Sequence, residues 1–270
     1  MSRFEKQKGL SLKKADAAAD IGLINKYSVK ELTPEDVYCF SLILCDNDVD
    51  RDYERFTDAT LEKLAKLFVG KTGISDHKWN ADRQIARLYH VEVETTNEKN
   101  ALGEPLCLLC GRAYMLRTES NQPIIEAIEG GIMKEISIGC AIAKTSCSIC
   151  GNPFQWDWRT GVLECTNSHI KGEQYEEGLC ICNLEEPTDA YEFSFVAVPA
   201  QKGAGVTKAF NNIDEAFEML MRANLSEHSD KVKELLPHMQ FALTDAAERM
   251  ERAKILAENK QYLKSKELKG

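Results

Sequence analysis

The chain has 270 residues, of which 43% are hydrophobic and 29% are charged, which is enough for one substantial core with attached segments. Its formal net charge of −9 argues against a partner bound mainly through phosphate groups, because that mode requires clustered lysine and arginine. The N-terminus lacks the apolar core of a signal peptide and no stretch is apolar enough to span a membrane, so we expect a soluble, intracellular protein with no nucleic-acid or membrane partner.

Residues 1–33 are polar and contain several lysines, and we expect them to form a flexible N-terminal segment. Residues 34–210 contain short apolar runs separated by polar turns, which is typical of strands in a β-rich domain. Two segments of this domain have apolar residues at helical spacing, and each is followed by glycine. We therefore predict helices at 60–68 and 123–129.

The first predicted strand ends in the acidic sequence DNDVD. The spacing of Asp46, Asp48 and Asp50 resembles the start of a calcium-binding loop. Arg51 stands where such a loop needs glycine, and Thr57 stands where it needs a bidentate glutamate. We therefore predict an ordinary acidic turn.

The chain contains ten cysteines, which in an intracellular protein are more often thiols or metal ligands than disulfides. Four lie in apolar, strand-like runs and are expected to be buried as small hydrophobic residues. These four are Cys39, Cys45, Cys107 and Cys110. Residues 146–183 differ from their surroundings, being rich in Cys, Gly, Trp and charged residues, and we interpret them as an insertion into the domain.

The insertion contains a metal-binding pattern. Cys147 and Cys150 have the spacing of a zinc knuckle, and Gly151 permits the tight turn that follows. Four further candidates follow along the chain, namely Cys165, His169, Cys180 and Cys182. Because structural Zn²⁺ takes four Cys or His ligands, we predict Cys147, Cys150 and Cys165 with His169 or Cys180, leaving Cys182 as a further alternative. A catalytic zinc is disfavoured, since the sequence has no HExxH motif.

Residues 211–270 carry no strand signal and are predicted to form a helical tail. Apolar or small residues recur from 232 to 257 at alternating intervals of four and three, as in a heptad seam. Pro237 is expected to kink this helix or to mark its start. Whether the apolar seam of this helix packs on the domain or contacts a partner protein stays open.

Three segments of the domain hold residues that could perform hydrolysis. They are Asp76-His77 in GISDH, Ser137 in EISIG and Glu192 in YEFSFV. Each has an ordinary explanation when taken alone, as a surface histidine or a hydrogen-bonded serine. An α/β-hydrolase elbow is disfavoured, because Glu135 stands where GxSxG needs its first glycine.

Taken together and in this order, these segments resemble the prohead protease family of tailed bacteriophages, which is similar in fold to the herpesvirus maturation protease. The resemblance covers about residues 35–208 and rests on the DH pair, the SIG strand and PTDAYEFSFVAVPAQ. The cysteine-rich insertion is similar to one found in a branch of that family. The resemblance implies an α+β fold with a mostly antiparallel β-barrel, flanking helices, the zinc-knuckle module and the C-terminal helical tail.

The resemblance also implies a role for each residue. Ser137 would be the nucleophile of a serine protease and His77 its general base. Herpesvirus enzymes have a second histidine where this chain has Glu192, so Glu192 is expected as the third member, with Asp189 and Asp76 as alternatives. Backbone amides near residues 200–201 would form the oxyanion hole.

The implied function is endopeptidase cleavage of scaffold and major capsid protein precursors, with self-cleavage, inside a viral procapsid in the host cytoplasm. Homo-oligomerisation stays open. A cysteine protease using Cys140 is disfavoured, since a residue three positions from Ser137 lies on the opposite face of a regular strand. The alternatives are a non-catalytic capsid or scaffold assembly component with the same fold, and a zinc-ribbon binding module.

Overall fold

The computed structural model describes residues 15–158 and 162–207. The described residues contain three α-helices, α1 (Ala17–Ile24), α2 (Asp58–Phe68) and α3 (Gln122–Glu129), and short 3-10 turns at Pro34–Asp36 and Ala81–Arg83. The strands are β1 (Val37–Asp46), β2 (Glu54–Phe56), β3 (Thr72–Ser75), β4 (Ala86–Lys99), β5 (Pro105–Leu116), β6 (Ile136–Cys147), β7 (Phe154–Asp157), β8 (Val162–Cys165), β9 (Gln174–Tyr175), β10 (Gly178–Leu179), β11 (Cys182–Phe195) and β12 (Gly205–Val206). The predicted tail, residues 211–270, lies outside the described residues.

Eight strands form one sheet in the order β12-β1-β5-β4-β3-β11-β2, with β6 beside β11. Most pairs are antiparallel, and only β2 and β3 run parallel to β11. The α+β class is confirmed, but the predicted barrel is wrong, because among the described strands the sheet is not closed. A single bridge between Glu135 and Gly205 links the β6 and β12 regions, and in the described part of the chain no ladder joins these two strands.

The two predicted helices are present and cover the sheet. Helix α2 begins after Thr57, whose side chain accepts a hydrogen bond from the Thr60 backbone N–H and so caps the helix. Its apolar positions Leu61, Leu64 and Phe68 are fully buried in the main core. Burial of each such side chain contributes about 1.5–3 kcal/mol, so this face holds α2 against β11 and β4.

Residues 17–24 of the segment 1–33 form α1 and pack on the sheet, whereas residues 1–14 of that segment lie outside the described residues. Ile24 at the end of α1 is completely buried in a small core with Val37, Tyr89 and Tyr114. Asp20 accepts two hydrogen bonds from the Arg112 guanidinium, at 2.6 and 2.7 Å, within this buried contact. Helix α1 reads AAADIGLI and is apolar almost all round, so its local pattern does not reveal which side is buried.

The carboxylates of the acidic turn bind backbone N–H groups. Asp46 accepts a hydrogen bond from the Asp48 N–H at 2.9 Å, and Asp48 accepts one from the Ala101 N–H at 2.7 Å. Asp50 accepts the N–H groups of Asp52 and Glu54, each at 2.8 Å. These bonds tie the turn to itself and to the β4–β5 loop.

Three of the four cysteines predicted to be small core residues, Cys45, Cys107 and Cys110, are buried, and Cys39 is half-buried. They lie in β1 and β5, which are neighbouring strands of the sheet. No helix within residues 15–158 and 162–207 is both long and apolar enough to cross a membrane.

Candidate functional site

Strand β11, which carries Glu192, lies between β3, which leads into His77, and β6, which carries Ser137. Strand β3 runs parallel to it on one side, with Ser75 opposite Phe195, and His77 follows β3 by two residues. Strand β6 runs antiparallel on the other side, with Ser137 directly opposite Ser194. The sheet therefore brings His77 and Ser137 to opposite sides of the same segment of β11.

One face of the β6–β11 pair carries Ser137, Gly139, Glu192 and Ser194. Residues directly opposite in an antiparallel pair project to the same face, as do residues two apart in one strand. Ser137 is paired with Ser194, and Gly139 with Glu192. A Cβ added to Gly139 would lie 2.5 Å from Glu192 Oε1, so the glycine leaves the space that the carboxylate fills.

His77 is held over this face by its backbone. Asp76 and His77 both have left-handed backbone conformations, with φ of 53° and 52°. Such conformations are unfavourable for residues other than glycine and persist only where surrounding contacts hold them. The Asp76 N–H donates to the Phe195 carbonyl at 3.0 Å, and the His77 N–H donates to Ser194 Oγ at 3.1 Å. The turn is thus fastened to β11 at two points.

The imidazole of His77 contacts a buried carboxylate. His77 Nδ1 is 2.8 Å from Glu192 Oε1. Beside an ionised carboxylate, which can only accept, a neutral imidazole carries its proton on Nδ1 and leaves Nε2 as an acceptor. The Glu192 side chain is 3% exposed, whereas that of His77 is 43% exposed, so a reactant can reach the imidazole from solvent.

The two alternative carboxylates are paired with lysines instead. Asp189 is 3.1 Å from Lys71 Nζ, which lowers the pKa of this carboxyl. Asp76 is 3.3 Å from Lys78 Nζ. Of the three carboxylates considered from the sequence, Glu192 is therefore the one that the fold brings to the imidazole.

Ser137 is partly exposed and lies on the same sheet face as Glu192. In the described part of the chain no hydrogen bond joins its hydroxyl to His77. Bonds between a nucleophile and its base are often long before substrate binds. The structure therefore places Ser137 by strand register and His77 by direct contact with Glu192.

The segment expected to supply the oxyanion hole is anchored to the region after β1. The Arg51 N–H donates to the Ala200 carbonyl at 3.2 Å, and Arg51 Nε donates to the Pro199 carbonyl at 3.0 Å. Gln201 Oε1 accepts the Asp46 N–H at 3.0 Å. No hydrogen bond between this segment and Ser137 or His77 is present among the residues described.

Cys140 is an unsuitable nucleophile. It packs against the main core, and burial raises the pKa of its thiol to about 11. The thiolate is the reactive form of cysteine, and such a pKa leaves it scarce at neutral pH.

The cysteine-rich insertion forms a compact cluster of candidate metal ligands between β6 and β11. The ligand atoms of Cys147, Cys150, Cys165 and His169 all lie within 4.8 Å of one another. The Cys150 and Cys165 sulfurs are 3.4 Å apart, and His169 Nδ1 is 3.7 and 3.8 Å from the sulfurs of Cys147 and Cys165. Tetrahedral ligands about 2.3 Å from one ion are about 3.8 Å apart, so the cluster could bind a metal ion.

Two turns present these ligands. Gly151 and Ser168 adopt left-handed conformations, with φ of 74° and 63°, which reverse the chain after each cysteine. The Ile149 N–H lies 3.4 Å from the Cys147 sulfur, and the Asn167 N–H lies 3.4 Å from the Cys165 sulfur. These backbone contacts help to fix the positions of the two sulfurs.

The thiol of Cys150 is the one whose ionisation is favoured within the cluster. Burial raises its pKa, but hydrogen bonds from the Asn152 backbone and from the side chains of Cys165, His169 and Cys147 lower it to about 6. A thiolate at neutral pH needs no proton displaced before it binds a cation.

The remaining candidates, Cys180 and Cys182, lie outside this set. Cys180 is completely buried 3.8 Å from the Cys147 sulfur, and burial raises its pKa to about 12. Cys182 faces Cys147 in the β6–β11 ladder, and burial raises its pKa to about 12. Of the two alternatives for the fourth ligand, the geometry brings His169 into the cluster rather than Cys180. All ten cysteines are free thiols, so no disulfide competes with metal binding.

Ser194 and Gly139 are parts of the site that the sequence analysis missed. Ser194 is completely buried and donates to Glu192 Oε2 at 2.6 Å. A signal existed for Ser194, because Glu192 and Ser194 are two apart in a predicted strand and must share a face. The role of Gly139 depends on the β6–β11 register and has no local signal.

Comparisons of this chain with protein-family models, curated proteins and solved structures found no match.

Proposed function

We propose that this chain is a serine endopeptidase in which Ser137 is the nucleophile, His77 the general base and Glu192 the residue that orients the imidazole. The observation that supports the proposal is the 2.8 Å contact between His77 Nδ1 and the buried Glu192 Oε1. Glu192 lies on β11, which pairs directly with β6, the strand of Ser137. A serine hydroxyl needs such a base, since it is a weak nucleophile while protonated.

In this mechanism Ser137 Oγ attacks the carbonyl carbon of the peptide bond while its proton passes to His77 Nε2. Glu192, hydrogen-bonded to Nδ1–H, stabilises the imidazolium that forms. The imidazolium then donates the proton to the leaving amine, and an acyl ester remains on Ser137. Water, deprotonated by His77, hydrolyses that ester and restores the hydroxyl.

The proposed substrates are scaffold and major capsid protein precursors of a tailed virus, and the chain itself. This choice is supported by the resemblance of the DH, SIG and EFSFVAVPA segments to prohead proteases. The proposed site of action is the interior of the immature shell.

The metal that we propose for the cluster is Zn²⁺, held by Cys147, Cys150, Cys165 and His169 in a structural role. Four protein ligands complete a tetrahedral shell and leave no position for substrate or water. The ion would stabilise residues 146–183, which bury little apolar surface of their own.

The test is co-expression of the chain with its own scaffold and capsid proteins, followed by intact mass measurement of every product. We expect the wild type to trim its partners or itself, and Ser137→Ala to leave all masses unprocessed. Ser146→Ala is the matched control, because Ser146 lies on the same strand, opposite Asn183 of β11 and away from His77. It should process like the wild type.

Other outcomes would assign the chain differently. Identical masses for wild type and Ser137→Ala, under conditions where procapsids form, would refute catalysis and favour an assembly component. Processing that persists in Ser137→Ala but stops when metal is removed would favour a metal-dependent role.

A further inference from the structure

We infer that Ser194 is a positioning residue of this site, which holds the Glu192 carboxylate and the His77 backbone in one hydrogen-bonded unit. The inference rests on the proposed function for its catalytic consequence. The hydrogen-bond network itself is a property of the structure and can be tested without any substrate.

Ser194 makes the two hydrogen bonds that define the unit. Its hydroxyl donates to Glu192 Oε2 at 2.6 Å and accepts the His77 N–H at 3.1 Å. A serine hydroxyl has one proton to donate, so these two bonds fix its rotation. The other carboxylate oxygen, Oε1, contacts His77 Nδ1 at 2.8 Å. Both ends of the His77–Glu192 contact are therefore held by the same side chain.

The unit compensates for an unfavourable backbone. His77 has a φ of 52°, which a side chain other than glycine tolerates poorly. Without the Ser194 hydroxyl, the His77 N–H would lose its acceptor. The Glu192 carboxylate would also lose its only described partner other than the His77 imidazole. Bonds between a hydroxyl and an ionised carboxylate are among the stronger ones, so Ser194 should set the position of Glu192 closely.

Ser194 is excluded as a nucleophile by the same geometry. It is completely buried, whereas Ser137, directly opposite on β6, is partly exposed. The hydroxyl proton of Ser194 is already committed to Glu192, and its oxygen accepts a backbone N–H. Ser137 and Ser194 thus form a pair across the ladder in which one can meet a substrate and the other cannot.

Substitution of Ser194 by alanine tests the inference in two ways. Cleavage of a peptide that spans a processing site identified in the wild type should show kcat reduced about 10- to 100-fold, the size of effect seen when the hydrogen-bond partner that orients a metal-ligating histidine or carboxylate is removed. KM should not change, because a fully buried side chain cannot touch substrate. Ser194→Thr, which keeps the hydroxyl, should recover most of kcat.

The second readout is the proton NMR signal of His77 Nδ1–H, measured in the inactive Ser137→Ala chain. A proton held between imidazole and carboxylate should give a persistent downfield resonance, and Ser194→Ala should abolish it or move it upfield. Ser146→Ala is the matched control, since it removes another serine-to-glutamate hydrogen bond, 2.7 Å to Glu185, from the same pair of strands. It should leave the resonance and kcat unchanged.

The outcomes separate this inference from the proposed function. If Ser137→Ala abolishes cleavage but Ser194→Ala retains the wild-type kcat and the Nδ1–H resonance, the positioning role is refuted and the protease stands. If the wild type cleaves nothing, the protease proposal fails and the resonance alone decides the role of Ser194. Should Ser194→Ala fail to fold, Ser194→Cys, which keeps the side-chain volume with a much weaker donor, replaces it in both measurements.

Discussion

The metal-ligand cluster and the His77–Glu192 site are built in opposite ways. Cys147 and His169 are 22 positions apart, and two tight turns bring the four candidate ligands together. His77 and Ser194 are 117 positions apart and meet only because β3 and β11 pair in one register. A site made of local turns is visible in residue spacing, whereas a site made by strand pairing depends on the whole sheet.

The sharpest test of this difference is metal removal. Cys165→Ser should reduce the bound metal from about one ion per chain to nearly none, because a structural tetrahedral site needs all four ligands. Elemental analysis measures the stoichiometry, and amide hydrogen exchange should increase strongly within 146–183 while β4 and β5 stay protected. Cys182→Ser, outside the cluster, should keep the ion. Global unfolding on metal loss would contradict the local character of this region.

The next largest effect is expected at the His77–Glu192 site. Glu192→Gln should reduce cleavage about 10³- to 10⁴-fold, since an uncharged amide neither selects the imidazole tautomer nor stabilises the imidazolium. Asp189→Asn is the control, because Asp189 pairs with Lys71. Cleavage kinetics with bound metal monitored in parallel would show whether the two sites are independent. Equal losses of cleavage in Glu192→Gln and Asp189→Asn would contradict the role assigned to Glu192.

A smaller effect is expected where the sheet leaves space for the carboxylate. Gly139→Ala would place a Cβ 2.5 Å from Glu192 Oε1, so the glutamate must move. We expect a loss of about 1–3 kcal/mol in the free energy of unfolding, as for other overpacked sites, with reduced cleavage. Urea unfolding measures the loss in the free energy of unfolding. The control is Gly151→Ala, beside the metal-ligand cluster, which should alter metal affinity instead of cleavage. Unchanged cleavage in Gly139→Ala would contradict the described register.

The smallest effect concerns pH and the Lys71–Asp189 pair. Lys71 and the Ala190 N–H lower the pKa of Asp189 below its ordinary value of 3.8. A carboxyl with a lowered pKa in the folded state stabilises the fold above its unfolded pKa, and that contribution is lost as pH falls through the folded pKa. The stability difference between wild type and Asp189→Asn should therefore be small at neutral pH and vanish in acid. Urea unfolding across this range measures it, and a difference that grows in acid would contradict the assignment.

Helices α2 and α3 were predictable because their apolar residues follow helical spacing and each is followed by glycine. The burial of Cys45, Cys107 and Cys110 was predictable from their apolar, strand-like context. Closure of the sheet was not, since it depends on pairing between β6 and β12, strands far apart in the sequence that a single bridge joins. The packing of α1 was also missed, because its buried contacts with Tyr89 and Tyr114 come from distant strands.

The sequence by itself determined the local features of this protein, namely the helices α2 and α3, the cysteine-rich insertion and the spacing of the candidate ligands Cys147, Cys150 and Cys165. These follow from interactions between residues a few positions apart. Only the tertiary structure shows that His169 lies in one cluster with Cys147, Cys150 and Cys165, and that the His77 imidazole contacts Glu192 rather than Asp189 or Asp76. It alone revealed Ser194 and Gly139. The reason is that strand register sets which distant side chains share a face, and a shift of one residue would send each of them to the other side.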